Sequence, residues 1–335
     1  MATIGVKEVA ALAGVSIGTV SNVLNRPDKV TEATAARVHA AIEQLGFIRN
    51  DAARQLRAGS SRAIGLVILD VANPFFTGLA RGAQERAAES GLSVILGYSD
   101  EKVEREASYL DLFEEQRVHG VLLSPAAEPG PRLERLRAHG IPAVLVDRLS
   151  TDTSFSSVSV DDIRGGATAV GHLLAQGRRR IAFIGGPLTI RQVSDRLHGA
   201  SEAASAEPRA SLEVVTVSAL TVAEGRRVGR QIARRDPAAR PDAVFAANDL
   251  VALGVLEAML IEGTVKIPEQ MSLIGYDDIG FAGSAMVPVS SIRQPMALMG
   301  QTAVDVLMEE ASGAGRAAQH VVFQPELVVR ESSQR

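Results

Sequence analysis

The 335-residue chain contains no cysteine, which excludes disulfides and thiolate metal sites. It has no apolar run near eighteen residues and no basic-then-apolar leader with a small-residue cleavage site. Neither a membrane span nor export is expected, so the expected location is cytoplasmic. Aromatic residues make up only 4% of the chain, so an aromatic pair beside a turn stands out. The six histidines (His39, His119, His139, His172, His198 and His320) are scattered, and none forms a metal pair at helical spacing. Also missing are a G-x-x-x-x-G-K-[ST] loop, a G-x-G-x-x-G turn after a strand, a G-x-S-x-G elbow and an H-E-x-x-H helix. Nothing in the chain asks for a metal, a cofactor or a catalytic reaction.

What is present is a globular composition, 46% hydrophobic, with enough length for a small head and one large or two medium domains. Val6 to Asn25 has the spacing of helix, tight turn, helix. Val9 and Leu12 share one face of the first helix, and Val20, Val23 and Leu24 share one face of the second. Gly14 can take positive φ in the joint, Val15 can plug the angle between the helices, and Ser16 is a good N-cap for the second. That is the construction of a helix-turn-helix. A third helix is expected from Thr31, with Val38, Ile42 and Leu45 as its stripe and Gly46 as its stop. Asn50 to Gly59 then supply a short basic helix.

Alanine-rich helical hairpins share this spacing, and charge separates the two readings. Residues 1–62 hold eight cations (Lys7, Arg26, Lys29, Arg37, Arg49, Arg54, Arg57, Arg62) against five acids (Glu8, Asp28, Glu32, Glu43, Asp51), a formal +3. The whole chain is −4, which leaves −7 for residues 63–335. A positive head on a negative body suits a protein that sets its head on phosphates and keeps its body off them.

After Gly59-Ser60-Ser61, short apolar runs alternate with helical stretches. Strands are expected at Ile64 to Leu69, Ser93 to Leu96, Gly120 to Leu123, Ala143 to Val146, Ile181 to Ile184, Leu212 to Val217, Ala243 to Ala246 and Ser272 to Ile274. Helices are expected to fill the gaps, for example at Phe76 to Ser90, Arg105 to Arg117, Ile163 to Gln176, Val222 to Arg235 and Leu250 to Glu262. Such alternation predicts doubly wound parallel sheets, and the length favours two lobes over one. Polar residues recur just after the strands: Asp70 and Asn73, Asp147 and Arg148, Asn248 and Asp249, Asp277 and Asp278. Ligands of open α/β sheets bind outside the carboxyl ends of strands, so these side chains are expected to converge on one crevice. Phe75 and Phe76 fit either core packing or a platform for the apolar face of a sugar or a base.

The segment TIGVKEVAALAGVSIGTVSNVLN from Thr3, with RQLRAGSSRAIGLV from Arg54, resembles the lac repressor family of bacterial regulators. The resemblance continues through NPFF at Asn73, VDR around Asp147, DRLHG at Asp195, ANDLVALG at Ala247, LIGYDD at Leu273 and IRQP at Ile292. It implies an all-α helix-turn-helix head (1–48), a hinge helix and linker (49–61) and a periplasmic-binding-protein-like α/β effector domain of two lobes (62–335). It also implies a homodimer on a roughly palindromic operator, with the second helix of each head in a major groove. By the same resemblance Ile17, Gly18 and Asn22, just after the Ser16 cap, face base edges, and Asn25 closes that helix. Asn22 can pair with adenine, Ile17 offers apolar contact, and Gly18 has no side chain to read with. Thr19 and Ser21 are expected on phosphates. Arg54 and Leu56 fall on the hinge helix, whose leucine wedges into the operator from the minor groove.

The body resembles periplasmic sugar-binding proteins of the ribose-binding kind. In those the positions of Asn73, Phe75, Phe76, Asp147, Arg148, Arg196, Asn248, Asp277 and Gln294 surround the sugar. The resemblance thus implies a small monosaccharide such as ribose as effector. A purine corepressor or a partner-protein effector on the same DNA head is the alternative, and a sugar-modifying enzyme or a binding protein with an incidental helical head is a third. The segment after Val321 to Val329 has no heptad pattern, so no tetramer through a terminal coiled coil is expected.

Overall fold

The computed structural model of the chain describes residues 4–47, 61–128, 130–149, 154–313 and 317–334. The chain divides into two compact units, Met1–Ser60 and Ser61–Arg335.

In the first unit, α1 (Val6–Ala13) stops where Gly14 takes φ 64°. Helix α2 (Ile17–Asn25) starts where the Ser16 hydroxyl accepts the Thr19 amide at 3.0 Å. Helix α3 (Glu32–Leu45) ends at Gly46, φ 60°. Each helix sends one fully buried valine inward, Val9, Val20 and Val38, and Ala10, Ala13, Val23, Ala41 and Phe47 complete the core. Leu12, expected in that core, is 45% exposed. Ala10 and Ala13 take the inward face of α1 instead, because short side chains are what a closely packed third helix admits there. Arg54 and Leu56 lie outside the described residues.

The second unit is a pair of lobes. Lobe 1 begins with β1 (Ala63–Ile68), α4 (Pro74–Glu89), β2 (Ser93–Tyr98), α5 (Val103–Glu115), β3 (Gly120–Leu123), α6 (Pro131–Ala138), β4 (Ala143–Val146) and β5 (Ser157–Val160). The chain then builds lobe 2 with α7 (Asp162–Ala175), β6 (Arg180–Gly185), α8 (Arg191–Ser205), β7 (Ser211–Thr216), α9 (Val222–Ala233), β8 (Ala243–Ala246), α10 (Asp249–Glu262), β9 (Ser272–Asp277), α11 (Gly280–Gly283) and β10 (Ser290–Arg293). It returns to lobe 1 for α12 (Met296–Ala311) and β11 (His320–Phe323), and ends in lobe 2 with β12 (Glu326–Val328). The first sheet runs β11-β5-β4-β3-β1-β2 and is parallel throughout; the second runs β12-β10-β9-β8-β6-β7, parallel except where β12 joins β10 antiparallel.

Central strands are buried on both faces, as β1 shows. Ile64, Leu66 and Ile68 pack against α4 and α12, while Ala63 and Val67 pack on the other side with Phe113. Glycines bring the covering helices together in reciprocal pairs. A Cβ added at Gly166 would lie 1.9 Å from the Arg196 carbonyl oxygen, and one at Gly199 1.8 Å from that of Ile163. Gly82 and Gly300 do the same for α4 and α12, each 2.0 Å from a carbonyl oxygen of the other helix. The helix that carries Arg196 is therefore seated by backbone-to-backbone contact.

Four strands (β5, β10, β11, β12) were not among the expected elements. Strands β5 and β10 read SVSV and SSIR, and all four of their serines are buried. A serine-rich run looks solvated until its hydroxyls find partners, as when Ser291 donates to Asp249 at 2.7 Å and Ser157 pairs with His320 at 2.9 Å.

Candidate functional site

Between the lobes lies a cavity of about 350 Å³, at the small end of the usual range for ligand pockets. All its walls come from segments after strands, in keeping with the carboxyl-end rule. Lobe 1 supplies Leu69, Asp70, Asn73, Phe75 and Phe76 after β1, Asp100 to Lys102 after β2, and Asp147 after β4. Lobe 2 supplies Ile190, Gln192, Val193 and Arg196 after β6, Ser218 to Thr221 after β7, Asn248 after β8 and Asp277 at the end of β9.

The two asparagines are helix caps. Asn73 accepts the Phe75 amide at 3.0 Å, so it starts α4, and its amide nitrogen donates across the cleft to Asp277 at 3.2 Å. Asn248 starts α10 by accepting from Val251 at 2.9 Å, and donates to the Leu220 carbonyl at 3.2 Å. The cap and the cavity wall are one residue in both cases. Phe75 and Phe76 meet edge to face, with centroids 5.0 Å apart, and both are buried in the lobe 1 core as well as lining the cavity. The pair is thus core and cavity wall at once.

Asp147 and Asp277 sit at strand ends with φ 58° and 102°, left-handed backbone that costs each roughly 1–3 kcal/mol. Arg196 lies between the acids. Its Nε donates to Asp162 at 2.8 Å and an Nη to the Ala247 carbonyl at 2.7 Å, Asp277 is 3.8 Å away, and the guanidinium stacks 3.6 Å from the Tyr276 ring centroid. Burial alone would weaken its charge, but Asp162 and the neighbouring acids outweigh that and hold its pKa above the ordinary arginine value. Burial pushes Asp277 up to about 6, against the pull of Arg196, Asn73 and Gln294. Asp147 is driven well above the carboxylate range by burial and by Asp162, more than Arg196 offsets. One of its carboxylate oxygens is buried without a hydrogen-bond partner.

Two of the nine expected effector residues stand off the wall. Gln294 is buried behind Asp277 and donates to it at 2.8 Å. The Arg148 guanidinium turns to the Ala127 carbonyl, at 3.3 Å, and to Glu128. Asp249 and Asp278, also at strand ends, are structural: Asp249 holds Ser291 and the Ile279 amide, and Asp278 pairs with Arg293 and Arg330. Gln192 was missed. It sits one turn before Arg196 and donates to the Asp147 carboxylate at 2.9 Å and its carbonyl at 2.5 Å. The spacing Val193, Leu197, Ala200, Ala204 is the helical signal that would have placed it.

In the head, Ser16, Ile17, Gly18, Asn22 and Asn25 are exposed, and Thr19 and Ser21 are half-buried. Ile17 is a large apolar side chain at the start of α2, 50% exposed. The Ser16 and Thr19 hydroxyls bond each other at 2.9 Å, and Asn25 donates back to the Ser21 carbonyl at 2.8 Å.

Residues 5–50 match the family described as bacterial regulatory proteins, lacI family, and residues 170–333 match the periplasmic binding protein-like domain. The chain is similar to the ribose operon repressor of Bacillus subtilis (strain 168), 36% identical over 308 residues, 92% of this chain and 91% of that protein. Among solved structures it resembles the lac repressor dimer bound to operator and the anti-inducer ONPF (26% identical, TM-score 0.84, 99% of each chain). It also resembles a lacI-family regulator from Enterococcus faecium with bound ribose (25% identical, TM-score 0.74), covering 81% of this chain and 98% of that one.

Proposed function

Because the chain belongs to the lacI family of bacterial regulatory proteins, we propose that it is a homodimeric, sequence-specific DNA-binding repressor, released from a palindromic operator by a small monosaccharide such as ribose. The observation that carries the reading is one small cavity that joins an aromatic pair to Asp147, Arg196, Asn248 and Asp277. Phenylalanine faces suit the C–H face of a sugar ring, and carboxylates beside a guanidinium and an amide suit vicinal hydroxyls, which donate and accept at once. In this reading Asn73 is a further contact, Gln294 positions Asp277 from behind, and Arg148 reaches the sugar by exchanging its partners Ala127 and Glu128.

On DNA, α2 enters the major groove, Ile17 and Asn22 read base edges, and Thr19 and Ser21 meet phosphates. Arg54 and Leu56 act in the hinge segment. Strand β2, at the edge of the lobe 1 sheet, leaves Ile95, Leu96 and Tyr98 exposed, apolar surface of the kind that a second copy covers. The coupling runs through the lobes. The lobes are bridged by Gln192 to Asp147 and by Asn73 to Asp277, and the chain crosses between them at residues 160–162, 293–296 and 323–326. A sugar that takes over these groups changes how the lobes hold each other, with a coupling of about 1–3 kcal/mol that acts equally on sugar and operator.

The test is calorimetric titration with pentoses, hexoses and purines, followed by operator titration with and without whichever binds. A pentose that binds tightly and weakens operator affinity is the expected outcome. A purine that tightens it would replace the sugar reading with the corepressor one, and loss of operator binding in Asn22→Ala with sugar binding intact would assign the head its role.

A further inference from the structure

We propose that the cavity selects uncharged ligands and rejects their phosphorylated or carboxylated forms. The inference rests on the small-molecule reading above but not on which sugar it is.

Among the described residues two cations line the cavity, and both are already matched by acids. Lys102 is 2.9 Å from Asp100, and Arg196 is held by Asp162, with Asp277 close by. Off the wall, Arg148 is turned away to Glu128 and the Ala127 carbonyl, and Arg105 pairs with Asp100 at 3.4 Å. Among the described residues, two acids of the wall, Asp70 and Glu101, have no cation paired with them, and Asp147 lies buried beside them. They surround the space from two depths. Asp147 is buried and keeps one oxygen without a hydrogen-bond partner, so the floor calls for a ligand hydroxyl, and the charge that opposes an anion is that of Asp70 and Glu101. Asp70 and Glu101 stand on neighbouring loops of lobe 1. Asp100 and Glu101 both take left-handed backbone, φ 53° and 58°, in the turn that brings Glu101 to the wall. Burial together with Asp70 and Asp100 raises its pKa, the sign of carboxylates close enough to repel.

The backbone offers an anion no compensation at the start of α4, the helix that begins at the cavity. Phosphate binds helix N-termini through free amides. Here Pro74 has no amide hydrogen, and Asn73 takes the next two, Phe75 through its side chain at 3.0 Å and Phe76 through its carbonyl at 3.1 Å. At α10 the Val251 amide is likewise taken by Asn248. A phosphate would thus enter a wall with unmatched negative charge and find the amides of that turn in use.

The experiment is calorimetry on the full-length protein with matched pairs: ribose and ribose 5-phosphate, galactose and galactose 6-phosphate, adenine and adenosine monophosphate. The binding member of whichever pair is recognised should be the neutral one, about a hundredfold tighter than its phosphorylated partner. In Asp70→Asn/Glu101→Gln the ratio should narrow about tenfold, through tighter binding of the phosphorylated member. Glu101→Gln alone should move it part of the way, and thermal unfolding checks that each variant folds. A phosphorylated member that binds within tenfold of its parent, or a ratio that the folded variants leave unchanged, would overturn the proposal. If galactose or adenine is the neutral binder and ribose is not, the ribose reading fails while charge selection stands.

Discussion

The two lobes are built in the same strand order, β5-β4-β3-β1-β2 in one and β10-β9-β8-β6-β7 in the other, yet they load the cavity with different chemistry. Lobe 1 brings the phenylalanine pair, Asn73, Asp147 and the acidic loop; lobe 2 brings Arg196, Gln192, Asn248 and Asp277. Shared topology decides where the loops end up, and the loops decide what is held there. The difference also sets the energetics. Lobe 1 offers a platform that its own core supports, whereas lobe 2 buries a cation that only neighbouring carboxylates make tolerable.

The sharpest way to break that contrast is Arg196→Ala. It leaves Asp162 and Asp277 buried without their cation, so we expect a loss of about 3–5 kcal/mol in urea unfolding together with loss of ligand binding. The lobe 1 counterpart, Phe76→Ala, removes a buried ring and is expected to cost about 3–5 kcal/mol of stability while leaving the charge network intact.

Asp277 gives lobe 2 a pH signature, set by burial against the pull of Arg196. Its pKa is raised in the fold to about 6, so the stability it contributes is fully present below its unfolded value of about 3.8 and is lost as pH rises through 6. Asp277→Asn should therefore gain on the parent protein between pH 4 and pH 7, by on the order of 3 kcal/mol, in denaturation curves at stepped pH. A constant difference would show that this carboxyl does not titrate as argued. Helix seating comes next. Gly199→Ala in lobe 2 and Gly82→Ala in lobe 1 each press a methyl onto a backbone carbonyl, and each should lose about 1–3 kcal/mol. Only the lobe 2 change, by shifting the helix of Arg196, should also weaken ligand binding. The smallest effect is Gln192→Ala, which deletes one bridge between the lobes and should lower thermal stability of the ligand-free protein by about 1 kcal/mol.

Much of this architecture was legible in the chain because its signals are local. Gly14 and Gly46 stop helices by adopting positive φ, Ser16 starts one with its own hydroxyl, and apolar strand runs mark the centres of both sheets. Where a residue's role depended on what it met far away, local reading went astray. Leu12 looked like core and is exposed; the serine-rich β5 and β10 were not among the expected strands, and their serines are buried. The site divided the same way. Strand-end position picked out Asn73, Asp147, Asn248 and Asp277, but equally Asp249 and Asp278, which hold the scaffold together.

The sequence by itself determined the helix-turn-helix, the alternation of strands and helices, the charge asymmetry between head and body, and the family, since each is written in contiguous residues or their spacing. The tertiary structure alone decided which polar groups share a cavity. Asn73 and Asp277 stand 204 residues apart and meet at 3.2 Å, Gln192 reaches Asp147 across the cleft, and Arg148 turns from the wall beside it. Periodicity reports which face of an element is buried. A contact between two strand ends depends on the twist of both sheets and on how closely glycine-paired helices let the elements approach, and no local pattern carries that information.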